Sequence, residues 1–299
     1  MVFFLFLILF LSFPRSTSAQ IPLFYQLLEA YHPSSLSYSD TTSVSSLATI
    51  LPLTPILSAE PAISTPISSQ VLGAAIGGNG KIITIAVLGD SMIDTLTPSL
   101  PQLQTALQEY YPTTKFNLLN YGGGGSNIED GLNRLLNDHE YLGKKIPSLI
   151  SQKPDIIVVE SFAYNNFGNS ESGINRHWLD LGAIVHNIKT LLPDTKIVLA
   201  ATIAPNSIVF GNGIKDSHFT ALDKLEKSKT IRLYLQNLVN FATSENYPLA
   251  DAYQPSLFND EGYLPFINSG DHLHPSGPGG EFFCDTVAKA IFDHKLIDN

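Results

Sequence analysis

Several short polar segments of the chain contain residues suited to nucleophilic or anion-binding chemistry, and the first is GDSM at residues 89–92. A serine hydroxyl is exposed when it lies at the turn between a strand and a helix, and the backbone N–H of that serine can point at an anion. Ser91 is therefore a candidate nucleophile. Serine and aspartate are also preferred N-cap residues, so an ordinary helix cap is the competing interpretation. The G-x-S-x-G motif is absent, because Ile93 stands at the position of the second glycine.

A run of glycines forms the second segment, NYGGGGS at residues 120–126. Residues without a Cβ atom let backbone N–H groups approach a ligand closely. A phosphate-binding loop is one alternative, but the run lacks the lysine of G-x-x-x-x-G-K-[ST] and the spacing of G-x-G-x-x-G. A plain flexible turn is the other alternative, and this segment alone does not decide between a turn and a ligand-binding loop.

The third segment is FAYNNF at residues 162–167, at the end of an apolar run. Asparagine is common in turns because its side chain hydrogen-bonds to its own backbone. Taken alone, Asn165 and Asn166 are therefore interpreted as turn residues.

The fourth segment is DHLHP at residues 271–275, in a loop rich in glycine and proline. Two residues separate Asp271 from His274, and in a turn this spacing brings a carboxylate oxygen to the imidazole Nδ1. Such a contact fixes the tautomer and leaves Nε2 facing a nucleophile. His272 is a second candidate base, since strand-like alternation would place both imidazoles on the same side, but only His274 has an aspartate three residues before it. A zinc site is a weaker alternative because no further ligand cluster accompanies these residues.

Alternating strands and helices must position these segments. Short apolar runs predict strands at residues 81–89, 115–121, 154–161, 195–203 and 247–251, and helical spacing of apolar residues predicts helices at 98–111, 127–137, 177–192, 216–246 and 280–294. Nearly continuous apolar strands indicate a sheet that is covered on both faces, and right-handed crossovers then favour parallel strands. We therefore predict an α/β domain with a doubly wound sheet and its chemistry at the carboxyl ends of the strands.

In this order, the four segments resemble the sequence blocks of the SGNH hydrolases, also called GDSL esterases, and the resemblance covers residues 81–299. It implies a three-layer α/β/α fold of the flavodoxin-like type, with a central, mostly parallel five-stranded sheet. The segment LGDSMID resembles the first block, which implies that Ser91 is the nucleophile. The pattern D-x-x-H matches Asp271 and His274, which implies that they complete a Ser-His-Asp triad.

The two middle blocks imply the oxyanion hole. NYGGGGS resembles the second block, and by spacing from its first asparagine the oxyanion glycine is Gly125. In the third block, G-x-N-D, Ala163 stands in place of glycine and Asn166 in place of aspartate, which leaves Asn165 as the oxyanion asparagine. The resemblance thus implies that the backbone N–H groups of Ser91 and Gly125 and the side-chain amide of Asn165 hold the oxyanion.

These implications together predict a serine esterase that forms an acyl-enzyme and requires no metal and no organic cofactor. Its substrate is a small-molecule, lipid or carbohydrate ester, because this fold serves acyl lipids, acetylated sugars, thioesters and aryl esters with the same blocks. A non-catalytic surface or binding module that keeps the fold is the alternative, and the imperfect third block is its only support. Hydrolysis of short-chain aryl esters distinguishes the two.

The N-terminus predicts export. An apolar run followed by TSA at residues 17–19 is typical of a cleavage site, so residues 1–19 are interpreted as a signal peptide or a short membrane anchor. Residues 20–80 are rich in Ser, Thr, Pro and Ala and poor in charge, which indicates a linker before a catalytic domain at 81–299. The chain contains no N-x-Ser/Thr sequon. These features favour a bacterial protein that is extracellular, periplasmic or associated with the membrane or envelope through its N-terminus.

The composition excludes other classes of function. The chain has 299 residues, 44% of them hydrophobic, and a formal net charge of -10, so it should bury a core and repel nucleic acid. Its single cysteine, Cys284, cannot form an intramolecular disulfide and is interpreted as a buried thiol. Trp178 and the aromatic run at 263–266 either line a substrate cleft or pack in the core. Four other histidines are interpreted as surface or helix-cap residues: His139, His177, His186 and His218.

Overall fold

The computed structural model describes residues 82–298. The predicted signal peptide (1–19) and linker (20–80) lie outside the described residues. In chain order, the strands and helices are β1 (Ile82–Gly89), α1 (Ser91–Asp94), α2 (Pro101–Tyr110), β2 (Lys115–Gly122), α3 (Ile128–Leu136), β3 (His139–Tyr141), β4 (Lys144–Ile146), β5 (Ile156–Glu160), α4 (Glu171–Leu191), β6 (Lys196–Ala201), α5 (Ala221–Ser244), β7 (Leu249–Asp251), β8 (Leu257–Phe258), β9 (Glu261–Gly262) and α6 (Gly277–Asp293).

Five of these strands form one sheet in the order β2-β1-β5-β6-β7, and every pairing in it is parallel. Each of the five overlaps a predicted strand, so the predicted α/β class and the five-stranded sheet are confirmed. Strand β1 pairs with β2 on one side and with β5 on the other. The direction of the chain across the sheet therefore reverses at β1. The crevice beyond the carboxyl ends of β1 and β5 is the switch point at which such sheets bind ligands.

Alternate residues of the sheet pack into two hydrophobic clusters, one on each face. Ile85 and Val87 of β1 belong to a cluster with residues of α2 and α6. Ala86 and Leu88 belong to the other, with residues of α3, α4 and α5. Helices therefore cover both faces of the sheet, and the predicted three-layer α/β/α arrangement is confirmed.

Cys284 of α6 is buried, as predicted, and burial raises the pKa of its thiol to about 12. Within residues 82–298, no helix combines the length and the apolar character that crossing a membrane requires.

Helices α4 and α5 begin furthest from their predicted first residues. The Ser170 hydroxyl caps α4, which therefore begins at Glu171 rather than at residue 177. A capping box at Thr220 starts α5, so this helix begins after the predicted residue 216. The hairpins β3–β4 and β8–β9 are not among the predicted elements, because strands of two or three residues carry too little hydrophobic alternation.

The prediction that His177 is a surface or cap residue is wrong, because its side chain is buried between α4, α5 and the end of β5. Its Nδ1 lies 2.9 Å from the amide nitrogen of Asn237, and its Nε2 lies 2.8 Å from the carbonyl oxygen of Ser161. The amide donates to Nδ1, so Nε2 carries the hydrogen and donates to the carbonyl. Burial lowers the pKa of this imidazole to about 4, which keeps it neutral. The same prediction covers three other histidines. His218 is exposed, whereas His139 and His186 are partly buried.

Acid should destabilise the fold through His177. The pKa of this imidazole is about 4 in the folded protein, and an unfolded histidine has a pKa of about 6.5. The unfolded state therefore binds the additional proton between these values, and the free energy of unfolding falls as the pH falls through this range. In urea unfolding, we expect the stabilisation of the wild type relative to His177→Gln to shrink by about 2 kcal/mol between pH 7 and pH 4.5.

The comparison with this variant is necessary because other buried groups titrate in the same pH range and change the free energy of unfolding in the opposite direction. Burial raises the pKa values of Asp90 and Asp180 to about 6, and each of these therefore stabilises the fold as the pH falls. Subtracting the unfolding free energy of the variant removes their contribution. A difference that stays constant from pH 7 to pH 4.5 would show that the fold does not hold His177 in its neutral form.

Candidate active site

The turn after β1 presents Ser91. Asp90, not Ser91, is the N-cap of α1, because its Oδ1 accepts the Met92 N–H at 2.8 Å. The cap interpretation of Ser91 is therefore wrong. Its side chain is partly exposed, and neither its hydroxyl nor its backbone N–H has a hydrogen-bond partner in the described part of the chain. The preceding Gly89 is required, since a Cβ there would lie 2.3 Å from Cγ1 of Ile93.

The glycine-rich segment after β2 is anchored to the same turn. The amide of Asn120 donates to the carbonyl oxygens of Ile93 and Thr97 at 3.0 and 2.9 Å. A Cβ at Gly122 would lie 2.3 Å from a backbone nitrogen of α1. Gly125 has a φ of +68° and is exposed, and its N–H has no partner among residues 82–298. The segment is therefore a loop held against the turn that carries Ser91, with one backbone donor available to a ligand.

The hairpin β3–β4 holds this loop from the other side. The Tyr141 hydroxyl accepts the Gly124 N–H at 2.8 Å and donates to Oδ2 of Asp94 at 2.8 Å. Tyr141 therefore connects the glycine-rich loop to α1. Tyr141 is not among the residues predicted for the site, because its contact with Gly124 joins a short hairpin to a separate loop.

The turn after β5 gives its two asparagines different partners. The Asn165 amide donates to Oδ2 of Asp90 at 3.0 Å, so its side chain lies beside the turn that carries Ser91. The Asn166 amide instead donates to the carbonyl of Ala163 at 2.8 Å, and its Oδ1 accepts the Gly168 N–H at 3.0 Å. Asn166 is therefore a turn residue, as the sequence predicts when Asn165 and Asn166 are considered alone. Asn165 has a second amide N–H that no described residue accepts.

Asp271 and His274 form the predicted pair. Asp271 Oδ2 lies 2.8 Å from His274 Nδ1, and Oδ1 accepts the backbone N–H groups of Leu273 and His274 at 2.9 and 3.1 Å. Partial burial raises the pKa of Asp271, but the hydrogen bonds from His274 and Leu273 outweigh burial and hold it below its usual range. The aspartate is therefore ionised at neutral pH and accepts the Nδ1 hydrogen. The lone pair of Nε2 is then available as a base.

His272 does not share the orientation of His274. It has a φ of +49°, so residues 272–274 form a turn, and the strand-like alternation considered for them is wrong. Its Nδ1 lies 2.8 Å from the carbonyl oxygen of Asn212, which ties the loop to the connection between β6 and α5. Residues 82–298 contain no group of three or more His, Cys, Asp or Glu side chains arranged to hold a metal ion.

One electrostatic interaction relates His274 to the turn that carries Ser91. The described residues include no hydrogen bond between the Ser91 hydroxyl and the His274 imidazole. The charge of His274 lowers the pKa of Asp90, so the imidazole lies within electrostatic range of the residue that precedes Ser91. Burial outweighs this effect and raises the pKa of Asp90 to about 6. Catalytic hydrogen bonds are often long in an unliganded site and tighten when substrate binds.

The aromatic residues considered for a cleft divide into two groups. Trp178 is partly buried and packs edge-on against Phe241 of α5, with 5.0 Å between the ring centroids, so it packs against the core rather than lining a cleft. Tyr263 and Leu264 are 40% and 50% exposed, so neither residue belongs to the core. The adjoining backbone pairs with the His274 loop, since the carbonyl of Phe266 accepts the Ser276 N–H at 2.9 Å. Tyr263 and Leu264 therefore form an exposed apolar surface next to that loop.

Comparison with known proteins defines the fold. No protein-family model matches the chain, and no curated protein matches it. Among solved structures, it is similar to the lipase/acylhydrolase from Enterococcus faecalis, with a TM-score of 0.51 and 18% sequence identity over 71% of this chain and 96% of that chain. It is also similar to a protein described as a GDSL-like lipase from Parabacteroides merdae, with a TM-score of 0.50 and 17% identity over 73% of this chain and 98% of that chain. The chain therefore has the α/β fold of the GDSL-like lipases and acylhydrolases, as its resemblance to the SGNH hydrolases implies.

Proposed function

We propose that the protein is a serine esterase that hydrolyses carboxylic esters through Ser91, His274 and Asp271. The observation that carries the proposal is the contact between Asp271 Oδ2 and His274 Nδ1 at 2.8 Å, which orients the imidazole. The unpartnered hydroxyl of Ser91 at the switch point supplies the nucleophile. The fold shared with acylhydrolases supports the same reaction class.

In the proposed reaction, His274 Nε2 takes the proton from the Ser91 hydroxyl as the oxygen attacks the ester carbonyl. Asp271 stabilises the resulting imidazolium. His274 then protonates the leaving alcohol, and an acyl group remains on Ser91. Water attacks this acyl-enzyme with His274 again as the base, and the carboxylic acid is released. The hydrogen bond between Ser91 and His274 forms when substrate occupies the crevice.

The oxyanion of each tetrahedral intermediate is held by three donors in this proposal. Ser91 and Gly125 supply backbone N–H groups that have no partner among the described residues. Asn165 supplies the amide N–H that does not donate to Asp90. Donors fixed in advance stabilise the charge that develops on the carbonyl oxygen without reorganisation, which is the largest single contribution in many acyl-transfer enzymes.

We also propose that the substrate is an acyl or acetyl ester of a carbohydrate or lipid and that the enzyme acts outside the cytoplasm, extracellularly, in the periplasm or at the envelope. The apolar N-terminal run supports export and attachment to the membrane or envelope. The exposed Tyr263 and Leu264 beside the His274 loop support an apolar or ring-shaped group on the substrate.

Turnover of p-nitrophenyl acetate and p-nitrophenyl butyrate tests the proposed function. We expect the full chain to hydrolyse at least one of them with saturation kinetics and the variant His274→Ala, purified in parallel, to show only the background rate. Equal rates for the two proteins would contradict the proposal and favour a non-catalytic binding module.

The oxyanion role of Asn165 predicts a difference between two neighbouring variants. We expect Asn165→Ala to lower kcat by about 100-fold or more with little change in KM, because the lost hydrogen bond strengthens only as charge develops on the carbonyl oxygen. Asn166→Ala is the matched control and should have a milder effect, since Asn166 closes its own turn. If Asn166→Ala were the more damaging substitution, the oxyanion donor would be Asn166 and the alignment of the third block would be wrong by one residue.

A further inference from the structure

Two buried carboxyl groups, those of Asp90 and Glu160, lie within electrostatic range of each other at the ends of β1 and β5. Asp90 follows β1 and Glu160 ends β5, and the side chains of both are fully buried. The Asp90 N–H donates to Oε2 of Glu160 at 3.4 Å. A Cβ at Gly89 would lie 2.9 Å from Cβ of Glu160, so the two strand ends are in close contact. The proposed reaction assigns Glu160 no role.

The Glu160 carboxyl also shapes the turn after β5. Its Oε2 accepts the Phe162 N–H at 2.9 Å, and its Oε1 lies 2.5 Å from the Ser161 hydroxyl. Phe162 has a φ of +52°, a left-handed conformation that a side chain of this size rarely adopts without support from its surroundings. This turn directs Asn165 onto the Asp90 carboxylate. One side chain therefore links the turn that carries the nucleophile to the turn that carries the oxyanion asparagine.

The charges around the pair favour a single negative charge on the two carboxyl groups. Arg134 and His274 both lower the pKa of Asp90, and Arg134 also donates to the carbonyl oxygen of Gly89 at 2.7 Å. Burial, and then the charge of Asp90, raise the pKa of Glu160 to about 8. The Tyr164 phenol is a further titratable neighbour, and burial and the two carboxylates raise its pKa well above its usual value. At neutral pH Glu160 therefore keeps its proton while Asp90 carries the charge.

We propose that Glu160 is a positioning residue of this active site: in its protonated form it holds the β1 and β5 turns in register and leaves a single negative charge, on Asp90, near His274. The proposal rests on the proposed esterase function. Ionisation of Glu160 places a second negative charge against Asp90. The repulsion between the two carboxylates separates the turns and moves Asn165 away from Ser91.

Glu160→Gln tests the protonation state directly. The glutamine oxygen can accept the Phe162 and Asp90 N–H groups, and its amide can donate to the Ser161 hydroxyl, so it replaces the protonated acid but cannot ionise. We expect kcat of this variant at pH 7 to lie within about threefold of the wild type. Wild-type kcat should fall about tenfold between pH 7 and pH 9, whereas that of Glu160→Gln should stay within about threefold of its pH 7 value.

Two further variants separate positioning from general stability. Glu160→Ala removes the link and should lower kcat by about 100-fold at every pH, because small displacements in such a site are costly. Asp180→Asn is the matched control, since Asp180 is a buried carboxyl on α4 whose charged neighbours are Glu129 and Arg176 rather than residues of either turn. It should keep the alkaline decline of the wild type. Circular dichroism and urea unfolding confirm that each variant is folded.

An alkaline decline that Glu160→Gln shares with the wild type, or a Glu160→Gln enzyme as slow at pH 7 as Glu160→Ala, would overturn the role of Glu160 while leaving the esterase function intact. A wild type that hydrolyses no ester, by contrast, would overturn the proposed function and with it the positioning role.

Discussion

Replacing Ser91 with alanine should abolish ester hydrolysis, lowering kcat by at least about 10⁴-fold. In the proposed reaction Ser91 carries the acyl group, so the residual rate should approach the background. The fold should be unaffected, because the Ser91 side chain is partly exposed and Asp90 supplies the cap of α1. Initial rates with p-nitrophenyl acetate measure the loss, and circular dichroism and urea unfolding measure the fold.

Ser99→Ala is the matched control for this substitution. Ser99 is an exposed serine in the connection between α1 and α2 and has no hydrogen-bond partner in the part of the chain that the structure describes. Its replacement should leave kcat within about twofold of the wild type. Substantial turnover by folded Ser91→Ala would remove Ser91 as the nucleophile.

The second large effect is expected at the general base. His274→Ala should lower kcat by at least about 10⁴-fold, because neither the deprotonation of Ser91 nor the protonation of the leaving alcohol can then proceed efficiently. His272→Ala should lower kcat by less than about tenfold, since the His272 imidazole bonds to the carbonyl oxygen of Asn212 and not to Asp271. Initial rates at pH 7 for the two variants, made and measured in parallel, check the assignment.

If His272→Ala lowered kcat more than His274→Ala did, His274 would not be the base that Asp271 orients. Asp271→Asn provides an independent check. It should lower kcat by about 10³- to 10⁴-fold, because an amide permits the wrong imidazole tautomer and does not stabilise the imidazolium.

Contacts within a few residues of chain could be predicted from the sequence. The spacing of Asp271 and His274 by three residues is a property of one turn, and the structure forms that contact. The strands could be predicted for a similar reason, since β1, β5 and β6 are continuous apolar runs that both layers of helices cover. The recurrence of strand and helix then restricted the topology to a parallel sheet.

Contacts between distant segments could not be predicted, and they decide the details of the site. Whether Asn165 or Asn166 faces the nucleophile depends on a hydrogen bond to Asp90, which lies on a different strand. The support of the glycine-rich loop by Tyr141 depends on a hairpin with almost no hydrophobic pattern. One feature of the sequence does indicate a special environment for Glu160, because an acidic residue at the end of a run as apolar as IIVVE requires a buried partner.

Two local signals were present in the sequence and could have improved the prediction. His177 shares a helical face with Leu181, Ile184 and Ile188, all of which are buried, so its spacing indicates the core rather than the surface. The pair Thr220 and Asp223 has the spacing of a capping box, which indicates where α5 begins. In both places the pattern of single residues is more informative than the average character of the segment.

The most direct test of the account is the site of labelling by a fluorophosphonate, which reacts covalently with activated serines. Tryptic digestion places Ser91 and Ser99 in one peptide, residues 82–115, and fragmentation distinguishes the two serines. We predict a single adduct on Ser91, its absence in Ser91→Ala and a strongly reduced rate of labelling in His274→Ala. An adduct on any other serine, or undiminished labelling of Ser91→Ala, would contradict the assignment of Ser91 as the nucleophile.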